Sequence, residues 1–461
     1  MRSFLLLLTM TSFCIWVAGQ PCDKLNLKQQ NQIDVKCTEL VMTMTYDLSG
    51  RPYMYLANKE AGLTIYKMGS TKDPLRVAQV SLDSLDNLEV MGVSQYGNRL
   101  YLALGNFFTA KENPGMAIID VSDPENPKKL GFWKFNKATE GSSLVKVQGD
   151  YAFLAAFSHG LLILDISDPL NIKQVAQFVP KLNFPDAVPD PSKINARGMV
   201  VHDDLVYLCY DAGGIRIIDV SDKKNPEEVG RFSNPVMTGK PRAYNNAVLR
   251  DSLLYVGVDY CGVEILNISD TANIKLVSWW NPWTCETSPL NWFSSNGHVN
   301  EVVLDSQENK LFVSTGKSDL HVVDVSDPEN PDSCSMYGGL DNGIGTWGVN
   351  RYQNKICLSY ICTFVPFTSN YSGVKLLEYD RSVSISNPAL PELSIVPNPT
   401  NGYVELPEAL RGKSYQVTTI QGKMVGGVSL TTNRTLNFLS VGPGIYILSV
   451  EGYRPARILV Q

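Results

Sequence analysis

The sequence predicts an all-β protein, a seven-bladed β-propeller followed by a small C-terminal β-sandwich, and three observations carry that expectation. A glycine-led apolar strand with a polar, proline-rich turn behind it recurs along the chain, in its fullest form as "GMAIIDVSDPENPKKLG" at 115–131. Related units start at Gly62, Gly160, Gly214, Gly262, Leu320 and Gly373, and the first five glycines are 53, 45, 54 and 48 residues apart, a spacing that suits propeller blades. The strands in the middle of each unit are nearly continuous apolar runs, so both faces of every sheet must be covered. Sheets stacked radially and closed into a ring cover both faces and leave few exposed edges.

Within one unit the runs "SLVKV", "YAFLAAF", "GLLILD" and "KQVAQFV" follow one another across short turns, which makes four antiparallel strands. Gly115, Gly160 and Gly214 stand at the hairpin between the second and third strands, where a left-handed backbone is often needed. In "DVSDPENP", Asp120 closes the strand, and Ser122 and Asp123 hydrogen-bond nearby amides. Pro124 presets φ for the turn, and Pro127 keeps Asn126 extended. A turn repeated once per sheet reads as architecture rather than chemistry.

These units resemble the LVIVD repeat, most closely in "LLILDISDP" and "IRIIDVSDKKNP". The resemblance spans residues 35 to 385 and implies a propeller of surface or secreted proteins, with no defined activity. Asn267 replaces the strand-end Asp, residues 70–77 lack the second Pro, and the seventh unit lacks the turn.

At the N-terminus, "MRSFLLLLTMTSFCIWVAGQ" has one positive charge, an apolar run from Phe4 to Trp16 and small residues up to Gly19. It is too short to span a bilayer comfortably and reads as an export signal over residues 1–19, cleaved between Gly19 and Gln20. Eight cysteines then remain, an even number in an exported chain, so disulfides are expected with their connectivity open. Cys22 with Cys37 and Cys357 with Cys362 are the nearest pairs. Neither a C-x-x-C pair nor a Cys/His cluster occurs, and no metal or cofactor is expected. Forty Lys plus Arg stand against 46 Asp plus Glu, with no basic run, which argues against a nucleic-acid partner.

The propeller is expected over residues 20–387. Pro388, Pro391 and Pro397 then mark a linker, and six short strand candidates over 388–461 suggest a sandwich. The stretches "PNPTNG" (397–402), "YQVTTIQGKMV" (415–425), "GPGIYILSVEG" (442–452) and "ARILVQ" (456–461) make this segment similar to the type A C-terminal sorting domain of the type IX secretion system of Gram-negative bacteria. That resemblance implies an interaction with the secretion machinery through residues 391–461, passage across the outer membrane and removal of the domain. It also implies a secreted or cell-surface cargo that can be attached to lipopolysaccharide.

Motifs for chemistry are scarce. No G-x-S-x-G, P-loop, H-E-x-x-H or calcium loop is present. "DNGIGTW" at 341–347 is one residue too long for the Asp-box of sialidases and occurs once. Two features point to binding. The insertion at 279–298 holds Trp279, Trp280, Trp283 and Trp292, of which Trp280, Trp283 and Trp292 are candidates to stack on sugars or anchor a protein, with a disulfide through Cys285 stiffening their loop. Aligning the first strands places Ser143, Arg197, Asn245, Asn300 and Trp347 at one height near a channel mouth, with His298 two residues before Asn300. Glu301 is the one carboxylate nearby, and strand alternation turns it away from Asn300.

No catalytic residue is assigned. The expected function is an exported, cell-surface module that binds a protein or glycan partner. A glycan-active hydrolase or lyase is the alternative, needing a carboxylate pair or a Tyr and His pair in the channel, and a scaffold of a cell-envelope complex is a third reading.

Overall fold

A computed structural model describes residues 25–379 apart from 70–72, 107–111, 137–139, 288–295, 341–342 and 364–367. From 393 onward it describes all but 394, 396, 408–409, 411–412, 414, 420–423, 427–434, 440, 451–452 and 454. The expected signal with its Gly19/Gln20 cleavage and the expected join at 387/388 lie outside the described residues. The chain divides into two compact units, 1–381 and 382–461.

The first unit contains seven four-stranded antiparallel sheets, at 43–80, 90–134, 144–178, 199–232, 243–280, 302–337 and 346–379, the last joined by a strand from the N-terminus. These are blades 1 to 7. In blades 1 to 6 the strand order follows the chain. Blade 7 runs Thr346–Tyr352, Lys355–Tyr360, Gly373–Tyr379 and then Leu27–Asp34 outermost. The seventh unit lacks the polar turn because its fourth strand comes from the other end of the chain.

Seven apolar clusters fill the seven seams between neighbouring blades. They run from Tyr55, Leu63 and Leu102 between blades 1 and 2 round to Met54, Cys357 and Val374 between blades 7 and 1. Each middle strand is buried on both faces, which is the physical reason for its unbroken apolar sequence.

The repeated turn is structural throughout. The Asp120 carboxylate accepts from the Ser122 amide (2.8 Å) and hydroxyl (2.6 Å), and Asp123 from the Glu125 amide (3.1 Å) and the Asn126 side chain (2.8 Å). Asp165, Asp219 and Asp324 accept the corresponding amide, and Asn267 does so with its amide oxygen at 2.9 Å. The substitution in blade 5 therefore keeps the bond. Gly62, Gly160, Gly214 and Gly262 have φ between 70° and 84°. Gly115 departs from this expectation: it lies within the strand Gly115–Asp120, and Gly105, at the far side of a longer loop, takes the positive φ instead.

Cys37, just past the N-terminal strand, is bonded to Cys362, just past Lys355–Tyr360. The local pairs suggested by sequence are therefore corrected. Cys357 lies mid-strand with its side chain in the core between blades 7 and 1, away from Cys362, and its thiol is free, as is that of buried Cys209. Cys261 pairs with Cys285, and Cys334 is also disulfide-bonded.

The second unit carries all six expected strands. Met424–Gly426, Tyr415–Thr419, Gly444–Val450 and Ala456–Val460 form one sheet, and Tyr403–Glu405 pairs with Thr435–Asn437. Val404, Leu436, Val417, Leu448 and Ile458 from the two sheets share one core. Among the described residues, no helix is long and apolar enough to cross a membrane.

Candidate functional site at the channel mouth

The innermost strands enter their blades through a repeated irregularity. Pairing shifts at Met91, Asn245 and Trp347 in blades 2, 5 and 7. In blade 4, Cys209 accepts from the Arg197 amide and donates to the Gly198 carbonyl, and in blade 6 Ser314 bonds the Asn300 amide and the Glu301 carbonyl in the same way. In blade 3, Ala155 accepts from the Ser143 amide while pairing with Leu144. Two residues thus face one partner, the geometry of a bulge, which bends the strand and re-aims a side chain. The structure brings Ser143, Arg197, Asn245, Asn300 and Trp347 to equivalent positions, with buried Met91 as a sixth.

Only part of this ring opens outward. Asn245 and Asn300 are buried, their side-chain amides donating to the carbonyls of Val299 (3.0 Å) and His298 (3.2 Å). Arg197 and Trp347 are half-buried.

Arg197 belongs to a second, tighter group. Its guanidinium lies 5.7 Å from the Phe157 ring centre. Beside it, Asp211 accepts from the Asn195 side chain at 3.2 Å. Tyr260 meets the His298 ring edge-on with centroids 5.5 Å apart, and His298 Nδ1 is 2.9 Å from Asp259 Oδ1. Phe157 and Asp211 occupy the same place in successive hairpins, with left-handed φ of 45° and 52°; in blade 5 that place belongs to Asp259, and the left-handed residue is Tyr260, one position on, with φ 76°. Phe157 and Asp211 each form a bridge to the entry of the next blade, at Ala196 and Tyr244.

Burial pushes the Asp211 carboxyl up to about 6; the Arg197 charge and the Asn195 hydrogen bond pull it down, and the neighbouring Asp259 carboxylate adds to the rise. Burial also raises the Tyr260 phenol well above its ordinary range, reinforced by Asp259 and Asp211. The expectation that Glu301 is the one nearby carboxylate is therefore corrected, because Asp211 interacts with Arg197 and Asp259 with His298. Their signal was present in "YDAGG" and "VDYCG", hairpins equivalent to "AFSHG".

Glu301 accepts from the Val349 amide at 3.0 Å, tying blade 6 to blade 7. Burial pushes its carboxyl up to about 7, opposed by Val349 and by Lys146, whose own pKa is lowered by desolvation.

The tryptophans are placed differently from the expectation. Trp280 ends the fourth strand of blade 5, is buried, and donates to Ser333 Oγ at 2.8 Å. Its ring packs edge-on against Trp283 and His321, at 5.4 and 5.5 Å, so it seals a blade seam and does not offer a stacking face. Trp283 is half-buried and covers Gly297, where a Cβ would approach its ring to 2.4 Å. Trp279 donates to the Cys261 carbonyl at 2.7 Å. Trp292 lies outside the described residues. No group of three or more His, Cys, Asp or Glu arranged to hold a metal ion occurs among the described residues.

Residues 89–131, 142–176, 195–234 and 297–337 match the LVIVD repeat, and residues 394–456 match the Secretion system C-terminal sorting domain. The chain carries LVIVD repeats and a secretion sorting domain. No curated protein matches it. Among solved structures, this LVIVD-repeat propeller is similar to the β-propeller domain of Myceliophteria thermophila Cps50 (Swd1), at 13% identity over 77% of this chain and 99% of that one, TM-score 0.51. It is also similar to YCF48 bound to D1 peptide, at 11% identity over 78% and 97% of the two chains, TM-score 0.51. At those identities the likeness shows the fold alone. The sorting domain implies interaction with the type IX secretion machinery and export, to the surface or the medium.

A buried carboxyl near the mouth gives a test of the electrostatics. Glu264 is fully buried and accepts from the Tyr244 hydroxyl at 2.9 Å. Burial pushes it up to about 7, against Asn234, Tyr244 and Arg242. A carboxyl raised in the fold loses stability for the protein as pH climbs from the unfolded value through 7, because only the unfolded chain ionises freely. Glu264→Gln is expected to leave stability unchanged at pH 4 and to raise it by up to about 3 kcal/mol at pH 8. Urea unfolding of both proteins at the two pH values measures the difference.

Proposed function

We propose that this exported propeller is a binding module that holds a protein or glycan partner at the channel mouth formed by blades 3 to 6. The observation that carries the reading is the group of Arg197, Asp211 and Tyr260: three half-buried side chains of different chemistry, steadied by Phe157, Asn195 and His298 respectively. Such bracing keeps polar groups oriented before a ligand arrives. On this reading residues 1–19 are removed at Gly19/Gln20, the propeller over 20–387 is the working part, and the type A sorting domain over 388–461 delivers it. The outer-membrane face is then its station, with lipopolysaccharide attachment after the domain is removed.

A glycan-active enzyme is the second reading, favoured by the gathering of Asp211, Asp259, Tyr260 and His298. It is the weaker one, because the His298 side chain is only 1% exposed and Asp259 is buried. The candidate acid–base pair therefore does not open to substrate.

The full-length protein is to be applied to glycan and matrix-protein arrays beside Arg197→Ala and Asp211→Ala. A partner bound by the parent and weakened at least about tenfold in both variants is expected, the loss of one charged hydrogen bond each. A partner bound equally by all three proteins would place the binding surface elsewhere.

A further inference from the structure

Below the mouth, the innermost strands carry two charges at places where the fold is elsewhere built without any. Lys146 pairs with Phe153 in blade 3, and the same register in the other blades holds an uncharged residue, from Thr45 opposite Tyr55 in blade 1 to Asn350 opposite Cys357 in blade 7. Two residues nearer the mouth on the same strand face, Glu301 stands opposite Ser314 in blade 6. Its counterparts are uncharged as well: Thr43 in blade 1, Leu144 and Asn246 in blades 3 and 5, and glycines 92, 198 and 348 in the rest.

Polar side chains on this face bond the next blade. Thr43 accepts from the Val93 amide at 3.0 Å, and Ser94 donates to the Val145 carbonyl at 2.6 Å. Glu301 does the same with one oxygen, Oε2, which accepts from the Val349 amide. Its Oε1 and the Lys146 ammonium bond no protein group among the described residues, and both side chains are half-buried. Blades 3 and 6 share no seam, being three places apart in a ring of seven, yet the charges of Lys146 and Glu301 act on each other. They do so across the channel, without closing to an ion pair. Burial penalises both charges, lowering the pKa of the ammonium and pushing the carboxyl up to about 7. Opposite charges kept apart on facing walls, each short of a partner, are complementary to a ligand that carries both signs.

We propose that Lys146 and Glu301 are the two ends of a site inside the channel for a small zwitterion, a molecule with a carboxylate at one end and an ammonium at the other. The ligand carboxylate accepts from Lys146 Nζ, and the ligand ammonium donates to Glu301 Oε1. A simple anion would pair with Lys146 but be repelled by Glu301, and a simple cation would meet the reverse. Only a ligand of both signs gives each half-buried charge its partner. This site is separate from the group around Arg197 and does not depend on what the mouth holds.

The full-length protein is to be titrated calorimetrically with glycine, 4-aminobutyrate and 6-aminohexanoate, and with the plain carboxylate and plain amine of matching chain length. The expected result is that one length of amino acid binds best, because the walls fix the span, and that it binds at least about tenfold more tightly than either singly charged compound. Lys146→Met and Glu301→Gln remove one charge each at similar size, and glutamine keeps an acceptor for the Val349 amide. Each is expected to weaken the best amino acid at least about tenfold, the loss of one charged hydrogen bond. Their melting midpoints should fall by no more than about 2 °C, as suits positions that other blades fill with uncharged residues.

The proposal is overturned if none of the three amino acids binds, or if the plain carboxylate or amine binds as tightly as the amino acid of its length. Both outcomes are read on the parent alone, so they decide the matter even where a variant does not fold. An amino acid bound equally by the parent and both variants would place its site elsewhere and overturn the assignment. A midpoint several degrees lower in Lys146→Met, with no amino acid bound by the parent, would mean that the two charges brace the ring across its axis and bind nothing.

Discussion

Cys37→Ser is expected to lower the stability of the propeller by about 3–5 kcal/mol, the upper part of the range for loss of a native disulfide. The bond to Cys362 spans 325 positions of sequence, and the entropy removed from an unfolded chain grows with the loop that a cross-link closes. The bond also sits where the ring is joined. The strand Leu27–Asp34 completes blade 7 by pairing with Gly373–Tyr379, a contact between the two ends of the propeller that pays its full loop-closure entropy before any local structure helps.

With the bond intact, the two partners are held together through unfolding. Without it, the strand docks as if from a separate chain, and undocking bares the edge of Gly373–Tyr379 to other molecules. Urea unfolding of Cys37→Ser and of the parent with and without reductant measures the loss, and size-exclusion chromatography reports self-association of the opened ring. A variant that unfolds with the parent's midpoint would mean that the strand pairing alone closes the ring.

That closing strand was the part of the fold least legible in the sequence. "LKQQNQID" has no apolar alternation, because it is an outer strand with only Ile33 buried. The inner strands could be read because they are buried on both faces, and the turns because Asp, Ser and Pro each have a local role that neighbouring residues reveal. Even the departures fit: Asn267 keeps the strand-end bond, and blade 7 needs no turn where the chain supplies no fourth strand.

The mouth was half legible for a related reason. Arg197, Asn245, His298 and Asn300 follow from aligning the innermost strands. Asp211 and Tyr260 stand in hairpins whose glycines drew the reading toward turn geometry alone. Trp280 was misplaced because the fourth strand of blade 5 runs directly into the insertion, so an aromatic cluster that looks continuous in sequence is divided between a seam and a loop.

Arg216→Ala should be the most damaging single change in the core, costing about 3–5 kcal/mol, as removal of one partner from a buried ion pair does. Arg216 is fully buried. Its Nε donates to the Gly213 carbonyl at 3.0 Å, one terminal nitrogen to the Glu228 carboxylate at 3.2 and 3.3 Å, and the other to the carbonyls of Lys181 and Phe184 at 3.1 Å. The guanidinium also lies against Phe184 and Tyr210, with ring centres at 4.9 and 5.6 Å. Burial pulls its pKa down and Glu228 opposes that, so the charge is held by its partners.

These partners include the segment 180–196 that leads into Asn195 and Arg197, which Arg242 grips a second time through Asp186 at 2.5 Å. Loss of Arg216 is therefore expected to loosen the approach to the mouth as well as the core, giving new proteolytic cuts between 180 and 196 in the native protein. Arg216→Lys should rescue little, since one ammonium cannot replace a planar fork that reaches a carboxylate and three carbonyls at once. Urea unfolding together with limited proteolysis separates the two effects: a variant that loses stability yet resists cleavage would show that Arg216 supports blade 4 without ordering the mouth.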